Sequence, residues 1–170
     1  REVWRLGSVL LERGLDQEQL FFVGGNDSEV RAIRRCLDTG SPLDPSLNPH
    51  SIAETFVQLL GSLPVPVIPP AYRAQCIDRR KSPDRCWEVL LSMPPEHLSL
   101  LQYLASFVRQ LLAHSDRNRL TVRAVAVLMA AVWMEQDWSE FADGLEPIRH
   151  LVPEQEVVMH ILRGQGEGAP

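Results

Sequence analysis

Residues 50–68 read HSIAETFVQLLGSLPVPVI, and the change of pattern inside this stretch decides the fold. Ser51 followed by Glu54 has the spacing of a capping box, in which each side chain satisfies a backbone N–H that the helix leaves unpaired. Behind that pair, Ile52, Phe56, Leu59, Leu60 and Leu63 recur at helical spacing and make a wide apolar stripe. Pro64, Pro66, Pro69 and Pro70 then end the helix, because proline lacks the N–H that continuation needs and restricts the residue before it. The stretch therefore reads as a helix with one buried face and a stiff, proline-rich exit.

The same period extends to both sides. Upstream, Val3, Leu6, Val9 and Leu10 predict a first helix stopping near Gly14, and residues 15–28, LDQEQLFFVGGNDS, a loop with an apolar centre. Helical spacing resumes at Glu29–Leu37, with Val30, Ile33 and Leu37 on one face and Gly40 as the stop, before a proline-rich loop at 41–49. Downstream, Ser82 and Pro83 read as the N-cap and first residue of the helix RCWEVLLSM. Pro94 and Pro95 open the longest helix, running to about Ala113, and His114–Arg119 reads as a polar turn. Thr121 caps VRAVAVLMAAVW, which is apolar nearly all round and so belongs in the core. Residues 135–153 read as mixed and loop-like, 154–163 as a last short helix, and 165–170 as a disordered tail. Almost no stretch alternates long enough for a strand, so the expectation is one all-α helical bundle domain over residues 1–164.

Composition narrows the function classes. The chain has 170 residues, 45% hydrophobic and 23% charged, which suits one folded domain rather than a disordered segment. Its net charge of -5 is not that of a nucleic-acid binder, so no nucleic-acid partner is expected. Of the 17 basic residues only Lys81 is a lysine, and arginine is the better residue for planar contacts at protein interfaces. The three cysteines are odd in number and form no C-x-x-C, so neither a zinc site nor a disulfide framework is indicated, and a reducing compartment fits. The longest apolar run, Ala124–Met134, is too short to span a bilayer, so no direct membrane insertion is expected. Because residue 1 is Arg rather than Met, the chain reads as a domain of a longer cytoplasmic protein.

Tests for local chemistry come out bland. His114, Ser115 and Asp116 are adjacent but lack any nucleophile signature, and read as a polar helix end. Glu156 and His160 lie one helical turn apart with His150 nearby, yet nothing completes a metal shell, so the metal and cofactor expectations are both none. Gly24-Gly25 lacks a Walker lysine and reads as a turn. The P-x-x-P of Pro66 and Pro69 reads as a rigid connector packed on the core. Phe21 and Phe22 are expected to divide the two roles of loop aromatics, one plugging the core and one exposed to a partner. Trp4 poses the same choice between core residue and exposed anchor.

Two stretches, LFFVGGNDSEVRAIRRCLDTG at 20–40 and HSIAETFVQLLGSLPVPVI, resemble the signature segments of the RhoGAP fold in order and spacing. In that family an arginine-bearing loop precedes a helix, and the next long helix ends in L-P-x-P, here Leu63, Pro64, Val65 and Pro66. Cys36–Gly40, the run His50, Ser51, Ala53 and Glu54, and the helix LLQYLASFVRQLL at 100–112 are similar to the C-terminal RhoGAP-like domain of the type II inositol polyphosphate 5-phosphatases, the Lowe-syndrome phosphatase group. The resemblance covers residues 2–133.

What it implies is a shape without the chemistry. The family pattern glycine, aliphatic, Phe, Arg, aliphatic, Ser, Gly aligns with Gln19–Gly25, which puts Phe22 at the arginine-finger position. The family lysine falls on Val57 and the family asparagine on Val132. The expectation is a catalytically inactive module from a phosphoinositide 5-phosphatase that binds Rho-family small GTPases and helical peptides of endocytic adaptors carrying a Phe and a His. Trp4, Phe22 and Arg31 are the expected partner-binding residues, with Trp4 matching the family's peptide-binding tryptophan. In that branch the domain serves recruitment to endosomal and Golgi membranes. The alternative is an active GAP whose arginine is relocated, to Arg13 or Arg31, and a third reading is a helical module that has lost its GTPase affinity.

Overall fold

The computed structural model describes residues 1–134 and 151–164, in which every regular element is a helix. They are α1 (Glu2–Arg13), α2 (Asp27–Thr39), α3 (Pro49–Gly61), α4 (Pro70–Asp78), α5 (Pro83–Leu91), α6 (Pro95–Leu112), α7 (Ser115–Asn118), α8 (Val122–Met134) and α9 (Val152–Arg163). The all-α expectation holds. Of the loop-like reading for residues 135–153, the part at 135–150 falls outside the described residues, as does the frayed tail at 165–170, while α9 begins at Val152 rather than at 154.

The contacts gather these helices into two compact units, Arg1–Ser62 with Gln110–Leu120, and Leu63–Arg109 with the residues from Thr121 onward. In the first unit α1 and α2 both pack on α3. Leu6 and Leu10 of α1, Ile33 of α2 and Phe56 of α3 are fully buried, which is the burial their helical spacing asks for. Gly14 ends α1, and Gly40 ends α2 in the left-handed region at φ 69, where a side chain would be strained. In the second unit α8 packs on α9, α4 on α5, and α9 on both α4 and α5. Along α8 the residues from Leu128 to Met134 are all buried, as its unbroken apolar sequence requires.

Polar ties close each unit. The buried Glu154 of α9 accepts two hydrogen bonds from Arg73, at 2.6 and 3.2 Å, which offsets the cost of burying its charge. Arg109 donates to the carbonyls of Ile161 and Leu162 in the last turn of α9, where carbonyls lack the usual partner four residues on. Thr121 caps α8 as its position suggests, its hydroxyl accepting from the Ala124 N–H at 3.2 Å. The connector after α3 is packed at Pro66, Val67 and Ile68, and Ile68 donates its N–H to the Trp133 carbonyl at 2.8 Å.

Five local expectations need correction. Ser51 and Glu54 do not form a capping box: the N-cap of α3 is Asn48, three residues earlier, with Pro49 in the first turn and the Asn48 side chain accepting from the His50 N–H. Ser82 stands at the N-cap of α5, but its hydroxyl makes no capping bond. Pro70, read only as one of the prolines ending the preceding helix, instead opens α4 over residues 70–78, where no element was expected, because its missing N–H costs nothing in the first turn. His114–Arg119 is a single helical turn, α7, closed by Arg119 at φ 62. Of the connector, Val65 is 44% exposed rather than packed.

Candidate functional site

The loop of residues 14–26 joins α1 to α2 within the first unit, and both of its ends are fastened. At the entry, the buried Asn118 donates through its side-chain amide to the carbonyls of Leu15 (2.9 Å) and Leu111 (2.7 Å) and accepts from the Leu120 N–H. Its own carbonyl accepts from the Gln19 N–H at 2.9 Å. All the bonding groups of that amide that face inward are thus satisfied, the condition for a buried polar side chain to be stabilising.

At the exit, the residues misread as a cap do a different job. Glu54 accepts from the Gly25 N–H at 2.8 Å, and the hydroxyl of the fully buried Ser51 accepts from the Asn26 N–H at 3.0 Å. The Ser51 hydroxyl in turn donates to Glu29 of α2. Glu54 also accepts from Gln58, which accepts from Arg34, so a chain of hydrogen bonds runs from the loop along α3 to α2. A Cβ on Gly25 would lie 2.5 Å from the Ser51 Cα, so only glycine permits this approach. The Asn26 side chain then caps α2, accepting from the N–H groups of Ser28 and Glu29.

Between these anchors the chain makes a tight turn, with the N–H groups of Phe22 and Val23 both donating to the Gln19 carbonyl. Gln19 and Phe21 hold φ values of 55° and 74°, a region sparsely populated by side-chain-bearing residues. Gln19 occupies the place where the family pattern has glycine, which gives that glycine a physical reason. The Phe21 ring packs on Phe56 with centroids 6.4 Å apart, and the neighbouring Leu20 is fully buried. Phe21 thus packs inward, but it and Phe22 are both half-buried, so the expected division into one plugging and one exposed ring is not seen. Phe22 is half-buried and Val23 is 48% exposed, so the tip of the turn is apolar.

The other expected residues are scattered. Val57 is half-buried on α3 of the same unit. Val132 belongs to the second unit and is a core residue, 1% exposed. Arg31 is exposed on α2, whereas Arg13 donates to the Leu47 carbonyl at 2.7 Å and buries its Nη1. Trp4 is 42% exposed on α1. A cavity of about 410 Å³ opens between Glu2 of α1, Arg34, Leu37 and Asp38 of α2, and Gln58 and Leu59 of α3. Trp4 does not line it but lies two residues along α1 from Glu2.

The remaining constellations have structural partners. His114 and Arg117 both bind Asp16, at 2.7 and 2.8 Å, and these hydrogen bonds, His114 foremost, hold the Asp16 carboxyl below its usual range. Glu156 pairs with Lys81 and Arg80, and the His160 ring meets the Arg80 carbonyl at 2.7 Å. Burial pushes the Cys76 thiol up to about 12, which makes it inert.

A helical unit that presents a double-anchored loop before α2, with an L-P-x-P exit after α3, defines the class: the chain belongs to the RhoGAP domain family, which it matches over residues 1–137. It is 31% identical over 132 residues to a type II inositol 1,4,5-trisphosphate 5-phosphatase of Mus musculus, across 78% of this chain and 13% of that protein. It is also 29% identical over 129 residues to Rho GTPase-activating protein 17 of Homo sapiens, covering 71% of this chain and 15% of the relative. The chain thus spans less than a quarter of these relatives' length. Among solved structures, human Rho GTPase activating protein 15 aligns with a TM-score of 0.78 at 16% identity, over 94% of this chain and 79% of that one. The BH domain of GRAF, the GTPase regulator associated with focal adhesion kinase, aligns at 0.77 and 17% identity, over 94% of this chain and 87% of that one. Those two likenesses establish the fold. No helix among the described residues is long and apolar enough to cross a membrane.

Proposed function

We propose that this chain is a catalytically silent RhoGAP domain, which binds Rho-family small GTPases without accelerating their GTP hydrolysis. The observation that carries the reading is Phe22 at the tip of a firmly held loop, where the family pattern has arginine. An arginine finger stabilises charge on the transferring phosphoryl group and is worth about 10³–10⁵ in rate. Phenylalanine has neither charge nor donor and cannot supply that stabilisation. Val57 in place of the family lysine, and a buried Val132 in place of the family asparagine, support the same conclusion.

The apolar tip suits docking better than chemistry. Phe22 and Val23 offer a compact apolar contact, and the exposed Arg31 offers a planar cation to an acidic partner face. Such steering weakens as ionic strength rises.

The cavity between α1, α2 and α3 supports the second partner class, helical peptides of endocytic adaptors that carry a Phe and a His. Leu37 and Leu59 line it with apolar surface for an aromatic ring, and Glu2 and Asp38 add carboxylates for an imidazolium, while the exposed Trp4, two residues from Glu2 and so turned away from the cavity, offers a separate aromatic anchor on α1. In a parent protein of the inositol polyphosphate 5-phosphatase type, such a module would recruit the phosphatase to endosomal and Golgi membranes from the cytoplasm.

A second reading, an active GAP with a relocated arginine, is favoured by one residue. Arg31 is exposed on the helix that follows the loop, and among the described residues no hydrogen bond or ion pair holds it. Arg13 is less suited, because its guanidinium is bound and partly buried.

The test is a titration of GTP-loaded Rho-family GTPases with the domain in excess, reading hydrolysis and binding together. Binding without acceleration is expected. Acceleration that disappears in Arg31→Ala would establish the second reading, and absence of binding would leave only the adaptor cavity.

A further inference from the structure

The connection between α4 and α5 reads Arg79-Arg80-Lys81-Ser82-Pro83-Asp84-Arg85. Its backbone is fastened: the Ser82 N–H donates to the Arg79 carbonyl at 2.9 Å, and the Ser82 carbonyl accepts from the Cys86 N–H at 3.0 Å. The Ser82 hydroxyl has no such task. It stands at the N-cap of α5, the position where serine ordinarily accepts from the helix, and makes no capping bond. A serine followed by proline is thus present without the interaction that would account for it structurally.

Its surroundings fit a modifying enzyme. Arg79, Lys81, Pro83, Asp84 and Arg85 are all exposed, and Ser82 itself is held in extended backbone at φ -125, ψ 104. Pro83 lacks an N–H and fixes its own φ, so an enzyme that must hydrogen-bond the residue after its acceptor is disfavoured, and one that accommodates the ring is favoured. The arginine three residues beyond the acceptor and the three cations before it suit an acidic substrate groove. Reaching the hydroxyl requires opening only the first turn of a nine-residue helix.

We propose that Ser82 is the acceptor of a proline-directed serine/threonine kinase, and that the phosphate draws Lys81 and Arg80 away from Glu156. In the transfer the Ser82 Oγ attacks the γ-phosphorus of ATP, an O–P bond forms, and the bond to the β,γ-bridging oxygen breaks. ADP leaves, and the hydroxyl proton passes to the kinase's catalytic carboxylate. The product carries about -1.5 to -2 charges at the N-terminus of α5, beside two residues that now serve one carboxylate. Glu156 holds the Lys81 ammonium at 3.0 Å from both its oxygens and the Arg80 Nε at 3.4 Å, and these pairs tie α9 to the α4–α5 corner. A doubly charged group on the adjacent residue outcompetes that single charge. The phosphate caps α5, and the tie to α9 is left with the uncharged bond from His160 to the Arg80 carbonyl.

The test is incubation of the whole chain with MgATP and a proline-directed kinase, followed by intact mass and fragment mapping. One phosphate, on Ser82, is expected, absent in Ser82→Ala and reduced at least about tenfold in rate in Pro83→Ala, a substitution that the first turn of a helix tolerates. Hydrogen exchange across α9 is expected to quicken on phosphorylation, and the difference to vanish in Glu156→Gln. No incorporation, incorporation elsewhere with Ser82 unmodified, or incorporation only by a kinase that reads basic residues alone would overturn the site. A phosphorylated Ser82 with unchanged exchange in α9 would overturn the proposed consequence.

Discussion

The base and the tip of the loop before α2 follow opposite rules. At the base, three backbone N–H groups are held by partners from elsewhere in the unit: Gln19 binds Asn118, Gly25 binds Glu54, and Asn26 binds Ser51. At the tip, Phe22 and Val23 are apolar, and in the reading proposed above Phe22 takes the place of the family's arginine and Val57 on α3 that of its lysine. The lesson is that the parts which hold a loop in place and the part which would act on a substrate are separable. A sequence can carry all of the first and none of the second. Fold membership therefore argues for the shape of the surface, and only the tip argues for what the surface does.

The largest effect expected from breaking the base comes from Phe56→Ala. It removes the ring on which Phe21 packs and opens a cavity in the core of the first unit, at about 3–5 kcal/mol. Urea denaturation reads that loss directly. Next is Gly25→Val, whose branched side chain would collide with the Ser51 backbone. About 1–3 kcal/mol of stability should go, and GTPase binding should fall with it because the tip is displaced. Glu54→Ala should cost about 1–3 kcal/mol by leaving the Gly25 N–H without its partner, with less displacement of the tip.

Changes at the tip sharpen the contrast by touching function more than stability. Phe22→Ser, at a half-buried ring, should cost only about 1 kcal/mol of stability while weakening GTPase binding. Trp4→Ala, on the other face, should do the same for Phe/His helical peptides, by at least about tenfold if it anchors them. A Phe22→Ser chain that unfolded early would instead make Phe22 part of the core.

The smallest effect is electrostatic. Hydrogen bonds from His114 and Arg117 lower the Asp16 carboxyl in the folded chain below its ordinary value. Folding thus favours the ionised form, so the contribution is present above that value and is lost as the pH falls through the lowered folded value. Asp16 is exposed, so the change should be confined to acid solution and screened by salt. Acid titration of wild type against Asp16→Asn, followed by NMR of the α7 turn, checks it.

Much of this was legible in the residues themselves. The apolar stripe of α3, the glycines after α1 and α2, and the unbroken apolar run of α8 each placed an element correctly, because local period and backbone freedom determine them. The Ser51 and Glu54 pair misled for an instructive reason. A serine and a glutamate three apart near a helix start satisfy a capping box locally, yet Asn48 and Pro49 had already begun the helix. The pair was thereby released to hold a loop 25 and 29 residues away in sequence. No local pattern encodes a contact of that span. Asn118 was hidden for the same reason, since its three side-chain bonds and the bond its carbonyl accepts from Gln19 are drawn from α6, the loop and the start of the next segment. α4 was missed because a proline-rich approach masked a helix for which proline is a good first residue.

The most direct test of the silent tip is single-turnover GTP hydrolysis by a Rho-family GTPase, with wild-type domain and Phe22→Arg in excess under identical conditions. The account predicts that wild type leaves the intrinsic rate unchanged, and that Phe22→Arg raises it by part of the about 10³–10⁵ an arginine finger supplies, since the base already aims the loop. Wild-type acceleration of about 10³ or more would contradict it.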